Sequence, residues 1–147
     1  ATLRLSQQRY TDAVRLYERA EQLAPQNVRI LNNLAMALSE VPGREKDAIP
    51  KIESAIEIFG RSPELLDTQG LVLLRNDMPA EATAVLREAA KASSDPRYRF
   101  HLIMALLRQG DRKNAISNWA QLNLSELRKL ALTPGELADL DSLQKEF

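Results

Sequence analysis

Few side chains in this sequence have the types and spacing that chemistry requires. The only histidine, His101, lies in an apolar segment with helical spacing and has no serine motif beside it, so a Ser/His/Asp arrangement is not indicated. Asp139 and Asp141 are two positions apart on a predicted helix and point in different directions, which does not suit paired acid–base work. We therefore expect no catalytic residue, and we expect His101 to face a groove or the core.

Common cofactor and metal sites also lack their residue types. The chain has no cysteine, which excludes disulfides, thiolate zinc sites, iron–sulfur clusters and cysteine nucleophiles. A single histidine cannot form a histidine-based metal cluster, and no Gly-x-x-x-x-Gly-Lys loop is present to hold a phosphate. We expect neither a cofactor nor a metal.

The charge balance limits the classes of partner. The 147 residues include 20 Lys and Arg and 20 Asp and Glu, and 44% are apolar, which fits one globular domain of zero net charge. No apolar run reaches the roughly 20 residues that span a bilayer. A locally basic segment suits an acidic peptide better than RNA; it comprises Arg97, Arg99, His101, Arg108, Arg112 and Lys113. We expect a soluble protein with no nucleic-acid partner and no membrane insertion, and both cytoplasm and periplasm are compatible.

An internal repeat organises the elements that position these side chains. Small residues recur seven apart, and the first members of the sets are separated by 35, 34 and 33 residues. The sets are Ala13 and Ala20, Ala48 and Ala55, Ala82 and Ala89, and Ala115 with Leu122 in the second slot. A large residue lies four positions after each first alanine: Tyr17, Ile52, Leu86 and Trp119. Turn signals and apolar helical segments precede the last three sets, so each unit is predicted as helix, tight turn, helix.

The helix predictions follow from these signals. Helices are predicted at residues 10–23, 27–40, 47–59, 63–76, 79–92, 96–109 and 112–123, with residues 2–7 as the stub of a lost helix. Ser62 and Asp95 each precede a proline and are predicted N-caps, and Asp111 is a third. Pro50 is tolerated only in a first turn, so its helix should begin late, near Asp47, or be kinked.

The last 23 residues depart from the repeat. A short helical stretch is predicted at 125–131, and Thr133 with Glu136 forms a capping-box pattern that starts a helix over about 134–145. Leu137, Leu140 and Leu143 have helical spacing there. Two interpretations remain open: the helix caps the last repeat, or it folds into a groove or docks on another chain.

With these features the sequence resembles the tetratricopeptide repeat (TPR) family over about residues 7–124. The period, the small and large positions of the second helix, Gly70 in a first helix and the Gly110-Asp111 turn carry the resemblance. It implies an all-α solenoid, a right-handed superhelix of stacked antiparallel helix pairs. The single domain 1–147 divides into a truncated repeat (1–26), full repeats (27–62, 63–94 and 95–124) and a C-terminal capping segment (125–147). Ala1 falls inside the first unit, which favours a piece of a longer array.

The resemblance also implies where a partner binds, because first helices line the concave surface in this family. The implied residues are Arg29, Asn32, Asn33, Met36, Asp67, Thr68, Leu71, Arg75, Arg97, Phe100, His101, Met104 and Arg108. Met36, Leu71 and Met104 are equivalent and would form an apolar line; alternatively they pack under the C-terminal helix or serve the core. Asn33 fits one position of the clamp by which some members hold chaperone tails, but Glu64 and Thr68 stand where that clamp needs basic residues. We do not expect chaperone-tail binding.

The leading hypothesis is a non-catalytic protein–protein interaction scaffold that holds a peptide or helix of a partner in its concave groove. One alternative is self-assembly, as a homo-oligomer or within a longer array, through exposed solenoid ends where Leu3, Leu5, Val14 and Tyr17 lack cover. Another is a regulatory module of a larger enzyme.

Overall fold

The computed structural model describes residues 2–130 and 132–147, and it describes side chains from residue 4 onward in that range. Every regular element in this part of the chain is helical. The helices are α1 (Thr2–Leu23), α2 (Val28–Ser39), α3 (Ala48–Phe59), α4 (Pro63–Arg75), α5 (Pro79–Ala92), α6 (Pro96–Gln109), α7 (Arg112–Gln121), α8 (Leu124–Arg128) and α9 (Pro134–Glu146). A 3-10 turn, Glu45–Asp47, precedes α3. None of the described helices has the length and apolarity needed to cross a bilayer.

The helices form the expected all-α solenoid. From α1 to α7, each helix packs against the next one in the chain, and α2, α4 and α6 also pack against one another. We call α2, α4 and α6 the first helices, and α1, α3, α5 and α7 the second helices. Ion pairs link successive units on the side of the second helices: Lys51 Nζ of α3 lies 2.7 Å from Glu21 Oε2 of α1, and Arg61 Nη2, in the loop after α3, lies 2.5 Å from Glu88 Oε2 of α5. This consecutive stacking is how a repeat unit buries the apolar face that one helix pair leaves uncovered.

The repeated small and large positions form the core between helices. Ala48, Ala82 and Ala115 are fully buried, as are the large residues Ile52 and Leu86. A larger side chain at these alanine positions would force neighbouring helices apart. The apolar position ten residues after the first alanine behaves differently, because Leu23 and Ile58 are exposed at the ends of α1 and α3.

The predicted N-caps, the capping box and the late start of α3 are confirmed. The side chains of Ser62, Asp95 and Asp111 accept hydrogen bonds from the backbone N–H groups of Leu65, Arg97 and Asn114. Thr133 and Glu136 form both bonds of the capping box at the start of α9. Pro50 is the third residue of α3, so its missing N–H falls in the first turn, and the helix begins late as predicted.

Two local predictions need correction. Residues 2–7 are not the stub of a separate helix: they are continuous with α1, because no glycine or proline occurs before its end to interrupt the hydrogen bonds. The stretch predicted at 125–131 is the five-residue helix α8, Leu124–Arg128. Ala131 and the Leu3 side chain, which the predictions also used, lie outside the described residues.

Candidate functional site

The candidate site is the surface formed by side chains that the first helices leave outside the core. We call it the first-helix surface, and it consists of residues at repeat-equivalent positions. In α2 these are Arg29, Asn32, Asn33 and Met36, in α4 Asp67, Leu71 and Arg75, and in α6 Arg97, Met104 and Arg108. Because the first helices pack side by side, equivalent residues form rows across the surface.

An apolar row crosses the middle of this surface. Met36 is 38% exposed, and Leu71 and Met104 are partly exposed at the equivalent positions of the next two first helices. Met104 also packs against the core cluster of the last repeat. All three side chains of the row are therefore accessible, and Met104 at one end also packs against the core.

Charged residues on the same surface are tied to one another by ion pairs. Arg75 Nη2 lies 2.8 Å from Glu40 Oε1, which joins equivalent positions of α4 and α2. Arg97 pairs with Asp95 at 2.6 Å, and this hydrogen-bonded pair lowers the pKa of the Asp95 carboxyl. Arg29 is exposed and makes no ion pair with any described residue, so its guanidinium is available to a ligand carboxylate.

A buried histidine joins three elements at the other end of the surface. His101 is 4% exposed, its Nδ1 lies 2.7 Å from Oδ1 of Asp67 in α4, and its Nε2 lies 3.4 Å from Oε1 of Glu136 in α9. Burial lowers the pKa of His101, but the charges and hydrogen bonds of the two carboxylates outweigh burial and raise it to about 9. The hydrogen bond with His101 in turn lowers the pKa of Glu136. At neutral pH an imidazolium therefore donates to both carboxylates.

Some residues predicted for the groove lie beneath it. Phe100 is 1% exposed and belongs to the core cluster of the last repeat, and Thr68 is 5% exposed with its hydroxyl donating to the carbonyl of Glu64. These two side chains, like His101, support the surface and do not contact a ligand in this conformation. Asn32 and Asn33 are partly exposed, and Oδ1 of Asn32 has no hydrogen-bond partner.

Sequence reasoning missed the contribution of Glu136 to this region. The signal was present, because Asp67, His101 and Glu136 are separated by 34 and 35 residues, which is the period of the repeat. From the sequence, Glu136 was interpreted only as a capping-box residue. Its carboxylate has two roles in the structure: Oε2 accepts a hydrogen bond from the N–H of Thr133, and Oε1 contacts Nε2 of His101.

The C-terminal helix caps the last repeat. Leu140 and Leu143 of α9 are buried in one cluster with apolar residues of α6 and α7, whereas Leu137 is 41% exposed. Met36 at the opposite end of the first-helix surface stays exposed, so α9 does not fill that surface. Of the two interpretations drawn from the sequence, the geometry favours the cap.

Arg99, which belongs to the locally basic segment of the sequence, lies on another side of α6. Its Nη1 donates to Oδ1 of Asn118 at 2.6 Å. It lines a cavity of about 210 Å³ between the ends of α5 and α7. Within residues 2–130 and 132–147, no three His, Asp or Glu side chains are grouped so as to hold a metal ion.

Comparison with known proteins identifies the repeat. The sequence model of the tetratricopeptide repeat family matches residues 1–63 and 68–123. No curated protein matches this chain in sequence.

Solved structures share the fold at low sequence identity. MamA from Desulfovibrio magneticus RS-1 (residues 41 to the end) superposes with a TM-score of 0.70 at 17% identity, over 84% of this chain and 69% of that chain. Another MamA crystal structure gives 0.64 at 20% identity, over 76% of this chain and 65% of that one. TTC0263, a thermophilic TPR protein of Thermus thermophilus, gives 0.54 at 20% identity, over 94% and 92% of the two chains. This chain thus spans about two thirds of the MamA chains, and the likeness concerns the fold alone.

Proposed function

The chain belongs to the tetratricopeptide repeat family of protein-interaction scaffolds, and we propose that its first-helix surface binds a peptide or helix of a partner protein. One observation carries the proposal: accessible apolar side chains, Met36, Leu71 and Met104, occupy equivalent positions on three successive first helices. An apolar row with charged residues on both sides is the kind of surface on which a peptide is held by anchors and oriented by polar contacts.

Binding to this surface needs little rearrangement of the scaffold. Phe100 and Thr68 are buried beneath it, and α2 and α4 are held in place by their direct packing. Such a preformed surface loses little conformational entropy on binding. Methionines at two of the three anchor positions add adaptability, because an unbranched thioether side chain packs against ligands of varied shape.

The polar contacts of the ligand would come from the edge of the apolar row. Arg29 has no ion-pair partner, and Oδ1 of Asn32 has no hydrogen-bond donor. An acidic side chain of the ligand would satisfy the guanidinium of Arg29, whereas Oδ1 of Asn32 is itself buried and out of reach of a ligand in this conformation. Arg75, Arg97 and Arg108 already have carboxylates within 3.5 Å, so they contribute less to affinity.

The test compares two triple variants in a peptide-library selection. The groove variant is Met36→Glu, Leu71→Glu and Met104→Glu. The matched control is Leu16→Glu, Ile58→Glu and Ile116→Glu, which places three glutamates at exposed apolar positions of second helices. We expect peptides selected on the wild type to bind the control with unchanged affinity and to lose at least tenfold on the groove variant, with the same helicity in both. Equal binding to both variants would refute the groove assignment.

A second candidate, self-assembly, rests on the outer side of α1. Leu5 and Leu16 are 64% and 66% exposed there, and an uncovered pair of leucines on one helix favours association with a second copy. Light scattering from micromolar to millimolar concentration tests it: a mass that rises for the wild type and stays monomeric for Leu5→Glu with Leu16→Glu supports self-assembly. A monomeric wild type at the highest concentration contradicts it.

A further inference from the structure

Helix α9 covers the end of the solenoid beside α6. His101 in α6 contacts a carboxylate on each side. Its Nδ1 lies 2.7 Å from Asp67 in α4, and its Nε2 lies 3.4 Å from Glu136 in α9. The surface beside α6 therefore already receives a helix through side-chain contacts.

Side chains alone hold α9 on that surface. Its backbone does not approach α6, α7 or α8 as closely as the backbones of α1 to α7 approach one another. Leu140 and Leu143 supply the buried apolar contact, and Phe147 packs its ring 5.7 Å from that of Trp119. The remaining contacts are partly exposed ion pairs and hydrogen bonds, such as the one between Arg112 and Glu146, and pairs of that kind contribute little.

The three groups that seat α9 define what another occupant must offer. The imidazolium of His101 is buried, so an occupant has to supply a carboxylate to Nε2 or leave a charged N–H unsatisfied. Glu136, Leu140 and Leu143 place that carboxylate and two leucines at positions i, i+4 and i+7, which share one face of a helix.

We propose that the surface under α9 is a second docking site, which accepts in exchange for α9 an amphipathic helix of a partner protein with the pattern Glu-x-x-x-Leu-x-x-Leu. This site adjoins the first-helix surface at His101, and its apolar anchors are the side chains beneath Leu140 and Leu143. The proposal goes beyond the function proposed above and does not depend on Met36 or Leu71.

The probe is a synthetic peptide of residues 132–147 carrying a fluorophore, added to the 147-residue chain. Anisotropy reports its binding, and the emission of Trp119, the only tryptophan of the chain, reports the displacement of α9 from beside it. Control peptides carry Glu136→Gln, or Leu140→Ala with Leu143→Ala. A second chain carries Leu143→Ala, which populates the open state by weakening α9 in cis. If circular dichroism shows that the Leu143→Ala chain does not fold, a chain carrying Glu136→Gln replaces it as the opened chain.

The expected result is saturable binding of the peptide that both control peptides reduce at least tenfold. The Leu143→Ala chain should bind the peptide at least tenfold more tightly than the wild type, because displacing its weakened α9 costs less free energy. Binding should be unchanged in a chain that carries Met36→Glu and Leu71→Glu, which keeps Met104 in its contact with the cluster that also holds Leu140 and Leu143.

Four outcomes would overturn the proposal. They are no binding to either the wild type or the opened chain, binding that the leucine changes in the peptide do not affect, and binding that Met36→Glu with Leu71→Glu abolishes, which would move the peptide to the first-helix surface. The fourth is a dimer of the opened chain in light scattering that excludes the peptide, since the occupant would then be α9 of a second copy.

Discussion

Gly70 in α4 lies so close to Leu86 in α5 that a Cβ atom on the glycine would stand 2.3 Å from Cγ of the leucine. The two methyl carbons of Leu86 would be 2.6 and 2.9 Å away, and Leu86 is fully buried, so it has no free space to move into. The separation of these two helices therefore depends on the missing side chain at position 70.

Gly70→Ala is expected to destabilise the protein. The overpacking against Leu86 costs about 1–3 kcal/mol, which exceeds the roughly 1 kcal/mol that alanine gains over glycine in a helix. Urea unfolding measures the change. Gly135→Ala in α9 is the matched control, because its nearest neighbouring atom, Oγ1 of Thr133, would be 3.9 Å away, and this variant should be as stable as the wild type or more so. A Gly70→Ala protein as stable as the wild type would contradict the close approach.

Asp77 occupies a turn position that glycine fills one repeat later. Its φ is 57°, and Gly110 has φ 87° at the equivalent end of α6. Asp77→Gly should raise the unfolding free energy by about 0.5–1 kcal/mol, because the left-handed conformation strains a side chain with a Cβ. Gly110→Asp should lower it by a similar amount. Thermal unfolding of the two variants, with opposite shifts in Tm, checks this relationship.

Phe100 and Met36 were both assigned to the groove from the sequence, but the first is buried in the core and the second is exposed on the surface. Phe100→Ala should cost about 3–5 kcal/mol of stability, since the ring is 1% exposed within the core of the last repeat. Met36→Ala should cost about 1 kcal/mol or less, because that side chain is already 38% exposed. Equal costs in urea unfolding would mean that one of the two placements is wrong.

The bridge at His101 should make stability depend on pH. The folded-state pKa of about 9 lies above the ordinary value of 6.5, so the stabilisation is complete below pH 6.5 and is lost as the pH rises through 9. The lowered pKa of Glu136 makes stability depend on pH in the acidic range as well, because its stabilising contribution is lost as the pH falls below about 4.5. The bridge therefore contributes most between about pH 5 and 6.5.

Urea midpoints at about pH 6 and pH 9.5 measure the alkaline limb of this dependence. The wild type should lose stability across that interval, and His101→Gln should have a flatter profile. The groups that face His101 are Asp67 from α4, Glu136 from α9, and Asp95 and Arg97 from the start of its own helix. If His101→Gln retains the full slope, another group is responsible.

Local patterns in the sequence were sufficient to predict most of the fold. Alanines at a period near 34 residues predicted helix pairs, and the capping residues Ser62, Asp95 and Asp111 predicted where helices begin. These predictions succeeded because helix spacing, caps and prolines act within a few residues of one another. The length of α1 was missed, because a continuous helix and two separate ones have the same composition when no glycine or proline divides them.

The sequence by itself determined the class of protein: a repeat of helix pairs with zero net charge, no cysteine and one histidine. Only the tertiary structure decided which first-helix residues are accessible. Phe100 and Met104 are four positions apart on one helix face, yet Phe100 is buried and Met104 is partly exposed, because neighbouring helices and α9 cover that face unequally. The contacts of His101 with Asp67 and Glu136 were likewise undetermined by local pattern, since they join residues 34 and 35 positions away that come together only when the repeats stack.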